Sequence, residues 1–214
     1  VGAPFFDSYA ATNSGRAYLI DGRTGQTVAY FFNPAPGEDD WFGYSVGVVG
    51  GDVIVGAPYD DTSGSNAGAA YLFDGETGTL KQTFLNPDAD NDYFGWRVTG
   101  LGGNVLVSAL RGDHPDADDT GLVYLFDPVT GELLQTFSSP TPTGGDQFGH
   151  SIAALDGKVI VGAPYDDTAA FDAGAAYLFN AETGSLLQTF AHPAPGDGDY
   201  FGWGVAARGS DVLV

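Results

Sequence analysis

Four copies of one pattern run through the chain. Phe-Gly recurs at Phe42-Gly43, Phe94-Gly95, Phe148-Gly149 and Phe201-Gly202, at intervals of 52, 54 and 53 residues. Val-Gly-Ala-Pro stands at Val1–Pro4, Val55–Pro58 and Val161–Pro164, with Val107-Ser108-Ala109-Leu110 as a degenerate copy. Tyr18, Tyr71, Tyr124 and Tyr177 each follow a Gly by three residues, and Phe31, Phe84, Phe137 and Phe190 lie 13 residues further on. Thr-Gly falls between them in every copy. A period near 50 residues restricts the fold to an array whose units bury their apolar faces against one another.

Each unit reads as four short strands. In the second copy they are Ser45-Val46-Gly47-Val48, then Asp52 to Pro58, then Ala69 to Phe73, then Leu80 to Phe84. The last alternates apolar and polar residues at period two, as a half-buried strand does. Val53, Ile54 and Val55 form a continuous apolar run, expected of a strand covered on both faces. Gly56-Ala57 lets neighbouring sheets approach, and Pro58, which cannot donate to a ladder, ends the strand. Asp74 to Gly78 reads as a capped hairpin turn with Gly in the left-handed conformation. Phe84 and Phe94 are expected to pack between units. No segment has useful helical periodicity. The expectation is an all-β fold, a β-propeller of four-stranded antiparallel blades, about four in this chain, with residues 1–214 forming one domain or propeller segment.

Composition narrows the function. Seven Lys+Arg face 28 Asp+Glu, a net charge of −21, which disfavours nucleic acid and anionic membrane surfaces. No apolar run is long enough for a membrane helix. Of the acids, 24 are Asp and only 4 are Glu. That bias points to turns and to oxygen-ligand loops, where a short carboxylate reaches both backbone and a hard cation. With no Cys, disulfides and thiolate metal sites are excluded. With no Met, the chain reads as a processed product or a piece of something longer.

Phe42-Gly43 followed by Gly56-Ala57-Pro58 and then Tyr71-Leu72-Phe73 resembles the FG-GAP repeat, best known from the β-propeller of integrin α-subunits. The resemblance implies an extracellular or cell-surface propeller used for adhesion and partner binding, often with calcium. Integrin repeats hold calcium in an acidic loop between Phe-Gly and Gly-Ala-Pro. Here that loop is the short Val49-Gly50-Gly51-Asp52, or Leu155-Asp156-Gly157-Lys158 in a sister copy.

Acidic residues gather in two other loops. The loop after Gly-Ala-Pro carries Asp60, Asp61 and Asn66, or Asp166, Asp167 and Asp172, or Asp113, Asp116, Asp118 and Asp119, with Asp7 and Asn13 as counterparts. The loop before Phe-Gly carries Glu38, Asp39 and Asp40, then Asp88, Asp90 and Asp92, then Asp146, then Asp197 and Asp199. Three or more oxygen donors in a short loop suit Ca²⁺, and Ca²⁺ is the cofactor expected here. The competing reading is that these carboxylates cap turns and solvate the surface.

No catalytic constellation is present. His150 occupies the position of Tyr44, Trp96 and Trp203, and His192 that of Asn33, Asn86 and Ser139. His114 stands among Asp113, Asp116 and Asp118, where a His/Asp metal site is conceivable. Arg111-Gly112-Asp113 matches an adhesion tripeptide and falls in the degenerate loop. Trp41, Tyr59, Tyr93, Tyr165 and Tyr200 lie beside acids, either as rigid packing or as sugar-binding shelves. The Tyr-Leu-Phe-Asp-x-x-Thr-Gly-x-Leu pattern also resembles repeats of quinone-dependent dehydrogenase propellers. In those a docking Trp stands where this chain has Phe84, Phe137 and Phe190.

Val1 opens within strand two, and Asp211–Val214 falls inside the equivalent strand. The expected outcome is ring closure within the chain; a segment of a larger ring and self-association through open strand edges are the alternatives. The function expected is a non-catalytic, extracellular binding, adhesion or surface-structural module for a protein or glycan at the cell surface or matrix. The alternative is a propeller enzyme, a hydrolase or quinone-type dehydrogenase, with a site on the loop face.

Overall fold

The computed structural model describes residues 1–209 and 211–214. The fold is all-β, with strands in five antiparallel sheets. The first holds β1 (Gly2–Ala3), β2 (Arg16–Ile20) and β3 (Thr27–Phe32). The second holds β4 (Ser45–Val49), β5 (Asp52–Ala57), β6 (Ala69–Phe73) and β7 (Leu80–Leu85). The third holds β8 (Phe94–Leu101), β9 (Asn104–Ala109), β10 (Leu122–Phe126) and β11 (Leu133–Ser138). The fourth holds β12 (Ser151–Leu155), β13 (Lys158–Ala163), β14 (Ala175–Asn180) and β15 (Leu186–Ala191). The fifth is the hairpin β16 (Ala206–Arg208) and β17 (Asp211–Leu213). Three complete four-stranded blades therefore stand between two partial ones. Among the described residues no helix is long and apolar enough to cross a membrane.

Turn chemistry sets each meander. Strands one and two close on two-residue loops: Val49 pairs Asp52, Leu101 pairs Asn104 and Leu155 pairs Lys158. The connecting Gly50, Gly102, Gly103, Asp156 and Gly157 all have positive φ, as primed hairpin turns require. Strands three and four close on a six-residue loop, 74–79 in the second sheet. Asp74 Oδ1 accepts the N–H groups of Glu76 and Thr77, Gly78 takes φ 71°, and a bulge follows at Leu72/Phe73. Asp21, Asp127 and Asn180 repeat that cap. In Asp21, Asp74 and Asp127 the accepted backbone N–H bonds hold the carboxyl below its usual range.

The sheets stack in chain order. Strands two and three are covered on both faces, as their apolar runs require. Val55, Tyr71 and Phe73 pack back onto Ala17 and Phe31 of the first sheet. Ile54, Leu72 and Phe84 pack forward onto Val105, Tyr124 and Phe126 of the third. Leu106, Leu125 and Phe137 do the same toward Val159, Tyr177 and Phe179 of the fourth. Phe84 and Phe94 are 2% and 0% exposed, so the inter-blade role read for them holds.

At each junction backbone meets backbone. The Phe42 N–H donates to Ser14 O of the preceding sheet, and Phe94, Phe148 and Phe201 donate likewise to Ala67, Thr120 and Ala173. A Cβ on Gly68 would lie 2.1 Å from Phe94 O, and one on Gly56 would lie 2.0 Å from Gly95 O. The expected ring closure is not formed: β1 and β17 belong to separate sheets.

This contact gives a direct test. Gly56→Ala, whose methyl has only backbone to push against, should cost ~2 kcal/mol or more. Gly51→Ala, with open space at the Cβ position, should stay within ~0.5 kcal/mol. Urea unfolding of both variants reads the difference, and equal costs would refute the junction as described.

Candidate functional site

The loops entering strand one and leaving strand two converge on one end of the sheets. Tyr59 N–H donates to Asp40 O at 3.4 Å, Arg111 N–H to Asp92 O at 3.0 Å and Tyr165 N–H to Asp146 O at 3.3 Å, tying the two loops of each complete blade together.

Of the expected metal ligands, Asp60 and Asp166 are 1% exposed and turn inward. Asp60 Oδ2 accepts the Tyr71 hydroxyl at 2.6 Å while Oδ1 accepts Thr62 N–H at 2.9 Å. Asp166 binds Tyr177 OH and Thr168 N–H in the same way. Asp61, Asp113 and Asp167 instead close the loop, accepting the N–H groups of Asn66, Asp119 and Asp172 at 2.6, 2.7 and 2.6 Å. The three donors, Asn66, Asp119 and Asp172, adopt positive φ. Asp116 lies beside His114 at 3.6 Å, and Asp118 lines an acidic hollow with Arg111, Asp113, Asp119, Asp90 and Asp92.

Asp88, Asp90 and Asp92 diverge. Asp92 bonds Asn86 at 2.9 Å, Asp88 accepts Tyr124 OH at 3.4 Å, and Asp90 is exposed. Among the described residues no group of three or more His, Cys, Asp or Glu could hold a metal ion. The buried carboxylates Asp60, Asp92 and Asp166 already accept protein donors.

Three carboxyls of the loops before Phe-Gly, the expected ligand Asp92 among them, are perturbed by burial. Asp40, Asp92 and Asp146 are 2%, 4% and 1% exposed. Burial pushes the Asp40 carboxyl up to about 6, and the Asp60 charge adds to it against the bonds from Gly37 and Asn33. Burial raises Asp146 to about 7, with the Asp166 and Asp167 charges adding and Thr143 N–H opposing. Asp92 is raised for the same first reason. The phenols of Tyr71, Tyr124 and Tyr177 are pushed upward chiefly by burial, so all three stay protonated donors.

Around these acids runs a continuous row of aromatic rings. The residue after each Phe-Gly contacts its equivalent on the next sheet: Tyr44–Trp96 at 4.6 Å, Trp96–His150 at 6.2 Å and His150–Trp203 at 4.4 Å between centroids. A second tier joins it through Phe5–Trp41, Trp41–Tyr59 and Tyr59–Tyr93 at 5.0, 4.2 and 4.8 Å, and through Tyr165–Tyr200 at 5.2 Å. His150 belongs to this row, its Nδ1 3.1 Å from Trp203 O, and burial lowers its pKa, favouring the neutral ring. Trp96 Nε1 is buried and has no hydrogen-bond partner.

The row was legible only as a column of Tyr, Trp, His and Trp after Phe-Gly; that those rings touch across sheets was not. His192 stays in its structural slot, 2.8 Å from Ala194 O. In Arg111-Gly112-Asp113 the guanidinium lies 4.9 Å over the Tyr93 ring, Gly112 is buried and Asp113 caps its own loop.

Antiparallel four-stranded sheets stacked in series, with Phe-Gly meeting Gly-Ala-Pro or its degenerate copy Ser108-Ala109-Leu110 at each junction, are blades of the propeller type. The family model for the FG-GAP repeat matches residues 36–73 and 140–179, which carry the first three strands of the second and fourth sheets, so those two blades are FG-GAP repeats. The crystal structure of the computationally designed Ika8 protein has a similar fold, with a TM-score of 0.56 and 16% identity, over 91% of this chain and 48% of that one. The chain thus spans about half the length of that protein. Comparison with the curated proteins finds no match.

The buried acids predict a pH response. Asp146 and Asp40 bind protons more tightly folded than unfolded, so their contribution to stability is complete below about pH 4 and is lost as pH rises through about 7. From about pH 5 to pH 8 Tm should fall by about 3 °C or more, and Asp146→Asn should flatten the slope. A Tm that climbs over this range would contradict the burial. Tyr71→Phe, which removes the hydroxyl donor from Asp60 Oδ2 and leaves Thr62 N–H on Oδ1, should cost ~1–3 kcal/mol. Millimolar calcium against a chelator should shift Tm by less than about 1 °C.

Proposed function

We propose that this chain is an extracellular, non-catalytic binding module that docks a protein or glycan partner on the loop face. The FG-GAP repeats support an integrin-like propeller module, and fold by itself does not assign a ligand. The observation that carries the reading is the aromatic row across the sheets. Tyr44, Trp96 and Trp203 are rigid rings with part of their surface in solvent, held by neighbours and flanked by the exposed carboxylates Asp39, Asp61, Asp90, Asp113 and Asp167. Large aromatic groups fixed beforehand lose little entropy on binding and supply most of the energy at recognition surfaces. Acids around them favour partners with cationic or hydroxyl groups.

A cleft of about 620 Å³ between the third and fourth sheets, lined by Leu101, Leu134 and Asn180 among others, opens at the opposite, hairpin end. It brings together no comparable set of rings.

All three tryptophans of the chain lie on this surface, Trp96 and Trp203 in the row and Trp41 in the tier that joins it. Binding there should therefore change tryptophan emission. A panel of glycans and of cationic peptides, titrated by fluorescence, should yield a binder whose affinity drops at least tenfold in Trp96→Ala. Binding that leaves the emission unchanged, or survives that substitution, would place the partner elsewhere.

A further inference from the structure

The third blade departs from its sisters at one position of strand one. Ser45 Oγ accepts the Val98 N–H of the next blade at 3.0 Å, and Ser151 Oγ donates to Gly202 O at 2.8 Å. Each of these serines ties its blade to the one that follows. The third blade has Arg97 in the same place. Its backbone N–H donates to Ser108 Oγ within the blade at 3.0 Å. Its guanidinium forms no such tie to the fourth blade, and Nη1 instead donates to the adjoining Trp96 O at 3.4 Å. A long cationic side chain therefore stands where the junction uses a hydroxyl, and it does not take over that work.

The guanidinium is set into the aromatic row. Its carbon lies 5.8 Å from the ring centroids of both Tyr44 and Trp96, and His150 follows Trp96 at 6.2 Å. Burial raises the Tyr44 phenol while the Arg97 charge opposes it; burial lowers His150 and the same charge adds to that. These neighbours are thus neutral. Arg97 is half-buried, and among the described residues no carboxylate pairs with it. A chain with 28 Asp+Glu against 7 Lys+Arg has counter-ions in excess, yet none is placed here. Arg111, by contrast, lies over Tyr93 in a hollow lined by Asp90, Asp92 and Asp113. Tyr44, Trp96, Arg97 and His150 all belong to the three complete blades, so the arrangement owes nothing to the outer sheets.

We infer that the loop face recognises a glycan carrying a single acidic sugar, whose carboxylate is received by Arg97 while the sugar ring lies against Trp96 and Tyr44. The inference rests on the loop-face reading and narrows its partner. A guanidinium matches a carboxylate with two parallel, charge-assisted bonds, and partial removal from water strengthens them. Indole and phenol rings offer flat apolar area to the C–H face of a sugar. The exposed Asp39, Asp61, Asp90 and Asp167 nearby are acceptors for hydroxyl donors. A sugar acid presents several hydroxyls around one carboxylate, the complement of several acceptors around one guanidinium. Polyanions and runs of acidic residues are repelled by those same acids and by the net charge of −21.

The test compares a glucuronic-acid-terminated oligosaccharide with the same compound after reduction of its carboxyl to the alcohol, each titrated by tryptophan emission. The acidic form should bind the unmodified chain about tenfold tighter or more, and added NaCl should erode that preference. Arg97→Ser, which installs the sister residue, should keep its far-UV circular dichroism and bind the two forms within about twofold of each other. Arg97→Lys, which keeps the charge without the fork, should retain part of the preference. Equal affinity of the two forms for the unmodified chain, or a preference that survives Arg97→Ser, would overturn the inference and leave the loop-face reading standing. Tighter, Arg97-dependent binding of a capped peptide with one glutamate would also overturn it, by assigning the carboxylate to a protein partner. If no glycan and no peptide, acidic or cationic, alters the emission, the loop-face reading fails and this inference with it.

Discussion

Every other feature of this molecule depends on the contact between the backbone of one blade and the glycine of the next. At the junctions, Gly15, Gly68, Gly121 and Gly174 take φ between 76° and 87°, and a Cβ on any of them would fall 2.0–2.2 Å from the carbonyl oxygen of the next Phe-Gly phenylalanine. The missing side chain removes both the steric cost of the left-handed backbone and the clash. It lets the Phe N–H reach the preceding blade and holds adjacent sheets at one separation. The third blade shows how narrow the tolerance is. There Ser108 replaces the strand-two glycine, its Oγ accepts Arg97 N–H at 3.0 Å, and a bulge opens between Phe94 and Arg97. Across from Ser108, Gly149 leaves room: its own Cβ position would be 2.9 Å from that of the serine.

With sheet separation fixed, the loops at one end have little freedom, and their acids are used in pairs. One aspartate after Gly-Ala-Pro turns in to the strand-three tyrosine, and the next closes its own loop. The pattern is complete in the second and fourth blades. Phe6 and Gly112 stand at the Asp60 position in the first and third, and there the third blade brings Asp88 to Tyr124 instead. A carboxylate that already accepts a phenol and an N–H is poorly placed to join two others around an ion. Asp61, Asp113 and Asp167 cap their own loops, whereas Asp88 and Asp92, close in sequence, bond different partners in Tyr124 and Asn86.

Much of the fold was legible because its signals are local or periodic. The Gly50-Gly51 turn, the Asp74 cap, the apolar run of Val53 to Val55 and the stop at Pro58 each act within a few residues, and the 53-residue spacing multiplies them. The inter-blade role of Phe84 and Phe94 could be read because a large apolar residue at a fixed place in every unit has few other uses. The candidate site was less legible. Asp40 and Asp146 look like ordinary loop acids in sequence, and they become perturbed chiefly because the fold buries them, with the charges of Asp60 and Asp166 adding to the effect. Tyr44, Trp96, His150 and Trp203 are separated by more than fifty residues each, so no local signal could join them.

The sequence by itself determined that the chain forms antiparallel blades, where each hairpin turns and which glycines stand at the junctions, since backbone sterics and hydrogen-bond capping act over short range. Only the tertiary structure decided which carboxylates are buried, which rings form one continuous surface and that the outer sheets remain incomplete. Those properties depend on the distance between units, and a repeat pattern states how often a unit occurs without stating how far apart successive units sit or whether the last one returns to the first.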